Sequence, residues 1–409
     1  MLTDFGYEAS LLLNITIIAF VVVTGGLFLS SRLAASPGWR AMVTPLASII
    51  GSGFLVLGPI LDSSYGYLAP LIMAALCIGA YLFGWAIRFN IQILDAKTER
   101  GRLAEVLESL SSWALAFAYV ISVTYYLNLF GAFGVNLTPL NDPFYARVLT
   151  SSMFFIILVT GWWKGFKALE RMEYLSVAVK LAIIAGVLAG LAFFFGGKWS
   201  GGELVFNVPK ISGVEAITLA FGLIITVQGF ETSRYLGQVY DARIRVRSMR
   251  LAQWLSTGIY MTYVLLLTYV FTSDELKLTE TAIIDMMAVV APILPYMLVA
   301  AALAAQFSAA IADTSGSGGL FAEITKGRLS ARQAYALLTA IGLSITWSAD
   351  IFEIIAYASR AFAVYYALQA AIAAATSASE KGPLWRTAAF GFMAVLGLLI
   401  AVFGQSVEG

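Results

Sequence analysis

The sequence has no histidine, one cysteine and few charged side chains, and each of these shortages excludes a class of protein. Without histidine the chain cannot form a histidine-ligated zinc or haem site, or a serine–histidine nucleophile pair. Cys77 has no second cysteine with which to form an intrachain disulfide. Only 12% of the residues are charged and 60% are hydrophobic, whereas soluble domains carry about 25% charged residues. The composition therefore excludes a water-soluble enzyme and predicts an all-α polytopic membrane protein.

The net charge is +1, so no strong electrostatic field favours binding to nucleic acid. The expected partners are the lipid bilayer and a small solute. No cofactor is predicted.

About twelve apolar segments have the length of about 20 residues that a bilayer span requires. A further apolar segment, 280–292, is shorter and is interpreted as a re-entrant or surface helix. The predicted spans are 9–31, 40–61, 67–93, 104–135, 146–164, 173–196, 214–237, 250–272, 293–325, 331–347, 350–376 and 385–404.

Lysine and arginine are distributed unequally between alternate loops. Nineteen fall in one set of loops and the adjoining span ends, and four fall in the other set. Because basic residues are retained on the cytoplasmic side, both termini are predicted to lie outside, in a cytoplasmic (inner) membrane.

Two of the predicted spans contain glycines near their middle. The second span has Gly51-Ser52-Gly53, and the seventh has Gly222 followed by Gly229. Such glycines allow a helix to unwind, which a membrane tolerates where the backbone lines a cavity or is buried in protein. Close packing of unbroken helices through small residues is the alternative interpretation.

Each interrupted span opens a block of five spans, and an odd number of spans gives the two blocks opposite topology. The predicted divisions are an extra helix at 1–37, a first repeat at 38–212, an inverted second repeat at 213–378 and a last helix at 379–409. Paired broken helices at matching positions of inverted repeats indicate the binding site of a transporter.

Four segments resemble core helices of the amino acid–polyamine–organocation (APC) superfamily. They are 44–59 with its Gly-Ser-Gly, 221–239 with its Gly-Phe-Glu, 173–187 with an internal lysine, and 304–330. The resemblance covers about 40–376. It implies a leucine-transporter-like five-plus-five fold, a ten-helix inverted-repeat core with two discontinuous helices that works by alternating access.

The first interruption is predicted to bind the carboxylate of a solute. Backbone N–H groups of Gly51, Ser52 and Gly53 lie at the positive end of a half-helix, where anions bind, and the resemblance implies the same role. Plain helix packing is the alternative. The other residues predicted to shape the pocket are Ile225, Thr226, Gln228, Gly229 and Tyr119.

Two coupling ions stay open, with protons slightly favoured. Ala310, Asp313 and Thr314 fall on one helix face at i, i+3 and i+4, and with carbonyls of Ala47 and Ile50 they form an oxygen set suited to Na⁺. A structural ion pair of Asp313 is the alternative. Lys180 matches a lysine that takes the place of sodium in proton-coupled members of the superfamily; snorkelling to the membrane surface is its other interpretation.

Three further charges are interpreted as gating residues. Glu231 is either a gate carboxylate or a latch to Arg234. Arg360, near mid-membrane, is expected to pair with Glu231, Asp62 or Asp313, or to hold an anionic solute. Asp62 is expected to be solvated and to cap a loop.

Together these features predict a secondary active transporter for an amino acid or related small zwitterion, coupled to H⁺ or Na⁺. The alternatives are an ion channel or ion-only carrier, and a carrier for an anionic organic solute held by Arg360. A membrane enzyme would need a nucleophile or metal constellation, and no such constellation is evident in the sequence.

Overall fold

The computed structural model describes residues 2–51, 53–96, 102–163, 166–272, 279 and 281–405. Within these ranges the chain forms helices and no strand, which confirms the all-α prediction. The α-helices in chain order are α1 (Leu2–Phe28), α2 (Ser31–Ala34), α3 (Pro37–Ile49), α4 (Gly53–Tyr65), α5 (Ala69–Asp95), α6 (Arg102–Asn136), α7 (Pro143–Trp163), α8 (Phe166–Ser200), α9 (Gly213–Gly222), α10 (Ala242–Thr268), α11 (Ala282–Val290), α12 (Leu294–Ile324), α13 (Ala331–Ser348), α14 (Ile351–Ser379) and α15 (Leu384–Phe403). Three 3₁₀-helices, Gly66–Leu68, Ile224–Val227 and Phe230–Gln238, complete the described structure.

By length and composition, eight helical stretches in the described ranges are long and apolar enough to cross a membrane. The other predicted spans differ for local reasons. The seventh span is divided, and its apolar part α9 has only ten residues. Helix α10 begins with four arginines between residues 243 and 250, which lowers its mean hydropathy.

The first interrupted span is confirmed. Helix α3 ends at Ile49, and Ile50 has backbone angles of φ −88° and ψ 46°, outside the helical region. Helix α4 then begins at Gly53. The two half-helices are therefore separate elements, as a bilayer allows where the backbone is buried in protein.

The second interrupted span is confirmed as well. Helix α9 ends at Gly222, and two 3₁₀-helices follow it, on either side of Gly229. Gly229 has φ +115°, a conformation that a residue with a side chain adopts only with strain. The interpretation of the two spans as unbroken packed helices is therefore wrong.

Helix packing has a reciprocal pattern between the two blocks. Helix α6 of the first block packs on α14 of the second, and α12 of the second block packs on α8 of the first. Helices at matching positions of the two blocks also contact each other: α5 with α10, α6 with α12 and α7 with α13. The flanking helices follow the same rule, since α1 packs on α8 and α15 packs on α14. Two copies of one five-helix unit would pack in this way; the divisions at residues 37, 212 and 378 stay a prediction.

The short apolar segment before the ninth span forms the nine-residue helix α11. It packs on α12, α4 and α8, and most of its side chains are buried. It is too short to span a bilayer, as predicted, but it lies within the bundle rather than on its surface.

Candidate functional site

The two interruptions lie directly against each other. A Cβ atom added at Gly53 would overlap the backbone carbonyl of Thr226, and one added at Gly229 would lie 2.6 Å from the backbone nitrogen of Ile49. Any larger residue at these two positions would push the interruptions apart. Gly53 and Gly229 therefore bring the first and second broken helices together.

Tyr260 on α10 bridges the same two segments. Its hydroxyl lies 2.8 Å from the carbonyl oxygen of Ile49 and 2.8 Å from that of Thr226. Both carbonyls lie where a helix is interrupted. A single buried hydroxyl thus offers a donor to two backbone oxygens that unwinding has exposed.

Lys180 lies in the interior of the bundle, beside the first interruption. Its side chain is fully buried, and its ammonium donates hydrogen bonds to the carbonyl oxygen of Ala47 (2.8 Å) and to Oγ of Ser308 (3.1 Å). The bonds connect α8 with α3 and with α12. The snorkelling interpretation of Lys180 is therefore wrong.

Asp313 is also fully buried, and hydroxyl groups surround its carboxylate. Ser48 donates to one carboxylate oxygen over 3.3 Å, and Ser122 donates to the other. Asp313 forms no ion pair with Lys180 in the described part of the chain. The two charges are joined through consecutive residues, Ala47 next to the ammonium and Ser48 next to the carboxylate.

The predicted sodium ligands are all buried, and the carbonyl of one of them already accepts a hydrogen bond from a cationic side chain. The carbonyl of Ala47 accepts from the ammonium of Lys180, so it faces a positive charge. The hydroxyl of Thr314 has no hydrogen-bond partner among the described residues. The set consists of Ala47, Ile50, Ala310 and Asp313, which are 0% exposed, and Thr314, which is 1% exposed.

The predicted carboxylate cradle is only partly available in this conformation. The N–H group of Gly51 donates to the carbonyl of Ser48 over 3.1 Å and is thus already used. Gly53 is the first residue of α4, where N–H groups have no partner within the helix. Ser52 lies outside the described residues, so its predicted role has no structural counterpart here.

The second interruption presents one amide side chain to the interior. Nε2 of Gln228 donates to the hydroxyl of Tyr126 over 2.7 Å, and Oε1 of Gln228 has no partner in the described ranges. The hydroxyl of Thr226 bonds to the carbonyl of Leu223. Ile225 belongs to the 3₁₀-helix Ile224–Val227, and its side chain lies outside the described set.

One face of α6 carries polar groups toward these segments. Tyr119, Ser122 and Tyr126 follow each other at i, i+3 and i+7, and all three are buried. The ring of Tyr119 lies between Gly316 on α12 and Phe362 on α14, and its hydroxyl has no partner within the described structure. Buried polar atoms are rarely left without partners, so the hydroxyl of Tyr119 stands out as a hydrogen-bonding group of this face.

Glu231 is held by the second interruption itself. One of its carboxylate oxygens accepts from the hydroxyl of Tyr366 (2.9 Å) and from the backbone N–H of Gly229 (3.0 Å). Arg234 bonds elsewhere, so the predicted latch between Glu231 and Arg234 is wrong. The carboxylate instead fixes the turn at Gly229.

Arg234 forms a buried network that the sequence did not suggest. Its guanidinium donates to the carboxylate of Glu108 on α6 and to the side-chain oxygen of Gln369 on α14. The amide of Gln369 donates to Ser111 over 2.6 Å, and Asn90 on α5 donates to the side-chain oxygen of Gln369 over 2.8 Å. The network joins the second broken helix to three others.

Two of the predicted gating residues lie away from their expected partners. Arg360 is exposed and donates to the carbonyl oxygen of Gly404 beyond α15, so its predicted pairing with Glu231, Asp62 or Asp313 is wrong. Asp62 is 1% exposed and accepts from Nδ2 of Asn207 over 3.2 Å. The expectation of a solvated, loop-capping Asp62 is wrong, because Asp62 lies within α4 and its side chain is buried beside Asn207.

Two interrupted helices that meet beside buried charges, in a bundle of membrane-length helices, define a membrane carrier of the broken-helix class. The family model of APC superfamily transporters matches residues 31–404, and the chain belongs to this superfamily. The chain is also similar to an uncharacterized protein of Aquifex aeolicus (strain VF5). The identity is 41% over 389 residues, which cover 93% of this chain and 94% of the relative. The resemblance that the four sequence segments indicated is thereby confirmed.

Proposed function

We propose that this APC superfamily transporter is a secondary active carrier that couples uptake of an amino acid or related small zwitterion to protons by alternating access. The single observation that carries the choice of coupling ion is the hydrogen bond from the ammonium of Lys180 to the carbonyl of Ala47. The amino acid class rests on the residues around the two interruptions.

A proton fits this arrangement better than a sodium ion. Sodium would need the carbonyl of Ala47 as a ligand, but that oxygen accepts from Lys180. Two cations sharing one oxygen in a medium of low dielectric constant would repel each other strongly. The ammonium of Lys180 therefore takes the position beside Ala47 that a sodium ion would need.

Gain and loss of a proton on Lys180 would change how α8 holds the first broken helix. The protonated amine donates charge-assisted hydrogen bonds to Ala47 and Ser308, and such bonds are about twice as strong as neutral ones. Loss of the proton weakens both bonds and frees α3 to move relative to α8 and α12. This is the kind of differential contact that biases two states of a carrier.

A zwitterion matches the polar groups around the interruptions. The N-terminal end of α4 offers amides and a positive dipole to a carboxylate. The unpaired oxygen of Gln228 accepts from an ammonium group, and the hydroxyls of Tyr119 and Thr314 donate or accept. A guest with one carboxylate and one ammonium would use both kinds of group.

The proposal is tested by uptake into proteoliposomes. A thermal-shift screen of amino acids, amines and organic acids first finds a ligand that stabilises the purified protein. Its labelled form is then offered to proteoliposomes with a pH gradient, acidic outside, in the absence of sodium. We expect accumulation that a protonophore abolishes.

Three results would contradict this assignment. Accumulation driven by a sodium gradient at equal pH would make sodium the coupling ion. Ion flux with no dependence on any solute would identify a channel or ion-only carrier. Stabilisation only by dicarboxylates or other anions, with no response to zwitterions, would replace the amino acid class.

A further inference from the structure

The end of α5 and the beginning of α10 line an open cavity of about 550 Å³, just beyond the point where the second interruption ends at Gln238. Gln92 and Ala96 line it from α5, and Arg243, Arg247 and Arg250 line it from α10. The three arginines follow each other at i, i+4 and i+7 and so share one face of α10. Its volume falls within the range of about 300–1,000 Å³ typical of small-ligand pockets.

The positive charge of this cavity is not neutralised by the described residues around it. Arg243, Arg247 and Arg250 form no ion pair in the part of the chain that the structure describes. Asp241, the acidic residue at the start of α10, uses its carboxylate to accept from the N–H of Ile244. Arg88 on α5 lies close enough to Arg250 for the two guanidinium groups to repel each other.

The cavity lies next to exposed apolar side chains of the kind that face lipid. Along α10, Leu251 and Trp254 follow Arg250 directly and are 46% and 60% exposed. The ring of Trp254 packs on Tyr81 of α5, with ring centroids 5.4 Å apart. Tyr81 lies near the middle of α5, whereas Gln92 lies near its end and the arginines lie within the first turns of α10. The arginines are therefore closer to the end of the bundle than the exposed apolar side chains that follow them.

We propose that the arginine cavity (Gln92, Ala96, Arg243, Arg247 and Arg250) binds the phosphate of an anionic phospholipid headgroup. Arginine forks match phosphate oxygens in pairs, and basic pockets between transmembrane helices on the cytoplasmic side suit such headgroups. The lipid's acyl chains would lie along Leu251 and Trp254. An anion bound to Arg250 would also offset the repulsion between Arg250 and Arg88.

A lipid source is favoured over a free phosphate because the cavity adjoins the lipid-facing side of the bundle. A soluble anion would gain nothing from the exposed Leu251 and Trp254, whereas a phospholipid covers both. The predicted distribution of basic residues places this end of α10 on the cytoplasmic side, where anionic lipids attract lysine and arginine.

The test is a lipid titration of the full-length protein. The protein is purified in a neutral detergent, stripped of lipid, and titrated with phosphatidylglycerol or with phosphatidylcholine of the same acyl chains, with binding followed by native mass spectrometry. We expect one tight phosphatidylglycerol site and no equivalent phosphatidylcholine site. The triple variant Arg243→Gln/Arg247→Gln/Arg250→Gln should bind that lipid about 100-fold more weakly, since each basic residue near an anionic lipid contributes about fivefold.

The matched control is Lys326→Gln/Arg328→Gln/Arg332→Gln, which removes the same charge from another loop predicted to be cytoplasmic. It should keep the tight site. Equal loss in both triple variants would overturn the proposal, because the effect would then belong to net charge. Unchanged binding in the Arg243/Arg247/Arg250 variant would overturn it as well.

Two further measurements keep the result decisive. If the glutamine variant fails to fold, Arg243→Lys/Arg247→Lys/Arg250→Lys preserves the charge and should retain the preference for phosphatidylglycerol over phosphatidylcholine; equal binding of both lipids by this variant and by the wild type would refute the site. Inorganic phosphate and glycerophosphate are added in large molar excess as competitors. Full displacement of the lipid by either one would identify a free-anion site and overturn the lipid assignment.

Discussion

The ammonium of Lys180 lies 2.8 Å from the carbonyl oxygen of Ala47, a residue 133 positions earlier in the chain. Ala47 lies in the last turn of α3, two residues before that helix ends. A titratable side chain of α8 is thus bonded to the backbone of the first broken helix. In a carrier whose states differ at this helix, the protonation of Lys180 and the position of α3 are linked.

Replacing Lys180 with methionine should uncouple uptake from protons. The variant keeps a side chain of similar length but removes both hydrogen bonds, to Ala47 and to Ser308. A charge-assisted hydrogen bond contributes about 1.5–3 kcal/mol, so we expect accumulation driven by a pH gradient to fall at least about tenfold. Solute binding, measured by thermal shift, should persist.

Lys198→Met is the matched control, because Lys198 is partly exposed and pairs with Glu203 on the surface. It should accumulate solute like the wild type. A Lys180→Met protein with undiminished, protonophore-sensitive accumulation would remove Lys180 from the coupling.

Asp313→Asn should abolish coupled uptake while leaving the fold intact. The amide keeps the volume of the carboxylate, and its oxygen still accepts from Ser48 or Ser122, but it carries no charge and takes up no proton. Initial uptake rates at several external pH values are the measurement. The exposed Asp142→Asn is the control, and an Asp313→Asn protein whose pH profile matches the wild type would show that this carboxylate has no part in coupling.

The interruptions could be predicted from sequence because glycine has a distinct conformational signature. Gly51 and Gly53 in one apolar run, and Gly222 and Gly229 in another, marked the segments where the structure has its breaks. The places of Lys180 and Asp313 within apolar runs indicated two charges inside the membrane, whereas the burial of Lys180 became clear only from the structure. Such local signals can be recognised in the sequence without knowing how the helices pack against each other.

The partners of the charged residues could not be predicted, because they depend on how distant helices are oriented. Arg234 is close in sequence to Glu231 but bonds to Glu108 and Gln369, which are 126 and 135 residues away. Arg360 looked central along its span, yet α14 turns it outward toward Gly404. A rotation of a helix by half a turn moves a residue from the core to the surface, and position along the span gives no information on that rotation. A polar side chain within an apolar span, such as Gln369, is the one sequence signal that could have indicated the Arg234 network.

Gly53→Ala should separate the two interruptions. The added methyl group would overlap the carbonyl of Thr226, which belongs to the backbone of the second interruption and has no rotamer to adjust. Overpacking a core by one methyl group typically costs about 1–3 kcal/mol, so we expect a lower melting temperature and loss of most uptake.

Gly79→Ala on α5 is the control for this substitution, because no atom lies within 4 Å of a Cβ placed there. It should be neutral or slightly stabilising, since alanine favours a helix by about 1 kcal/mol over glycine. Equal melting temperatures and uptake for the two variants would indicate that the interruptions do not depend on close contact at Gly53.

Arg234→Ala should destabilise the protein far more than Arg360→Ala. The side chain of Arg234 is 3% exposed, and its loss leaves the carboxylate of Glu108 and the amide of Gln369 without their cation. Breaking a fully buried pair costs about 3–5 kcal/mol, and we expect about 2–4 kcal/mol here because the side chain of Glu108 is 28% exposed. Arg360 is exposed and, among the residues that the structure describes, donates to the carbonyl of Gly404 alone, so its loss should cost about 0.5–1.5 kcal/mol. Thermal unfolding of both variants in the same detergent makes the comparison. Glu108→Gln combined with Arg234→Ala should recover part of the loss, because it removes the carboxylate charge that Arg234 balances. Equal melting temperatures for the two arginine variants, or no recovery in the double variant, would mean that the Arg234 network does not hold the second broken helix to α6 and α14.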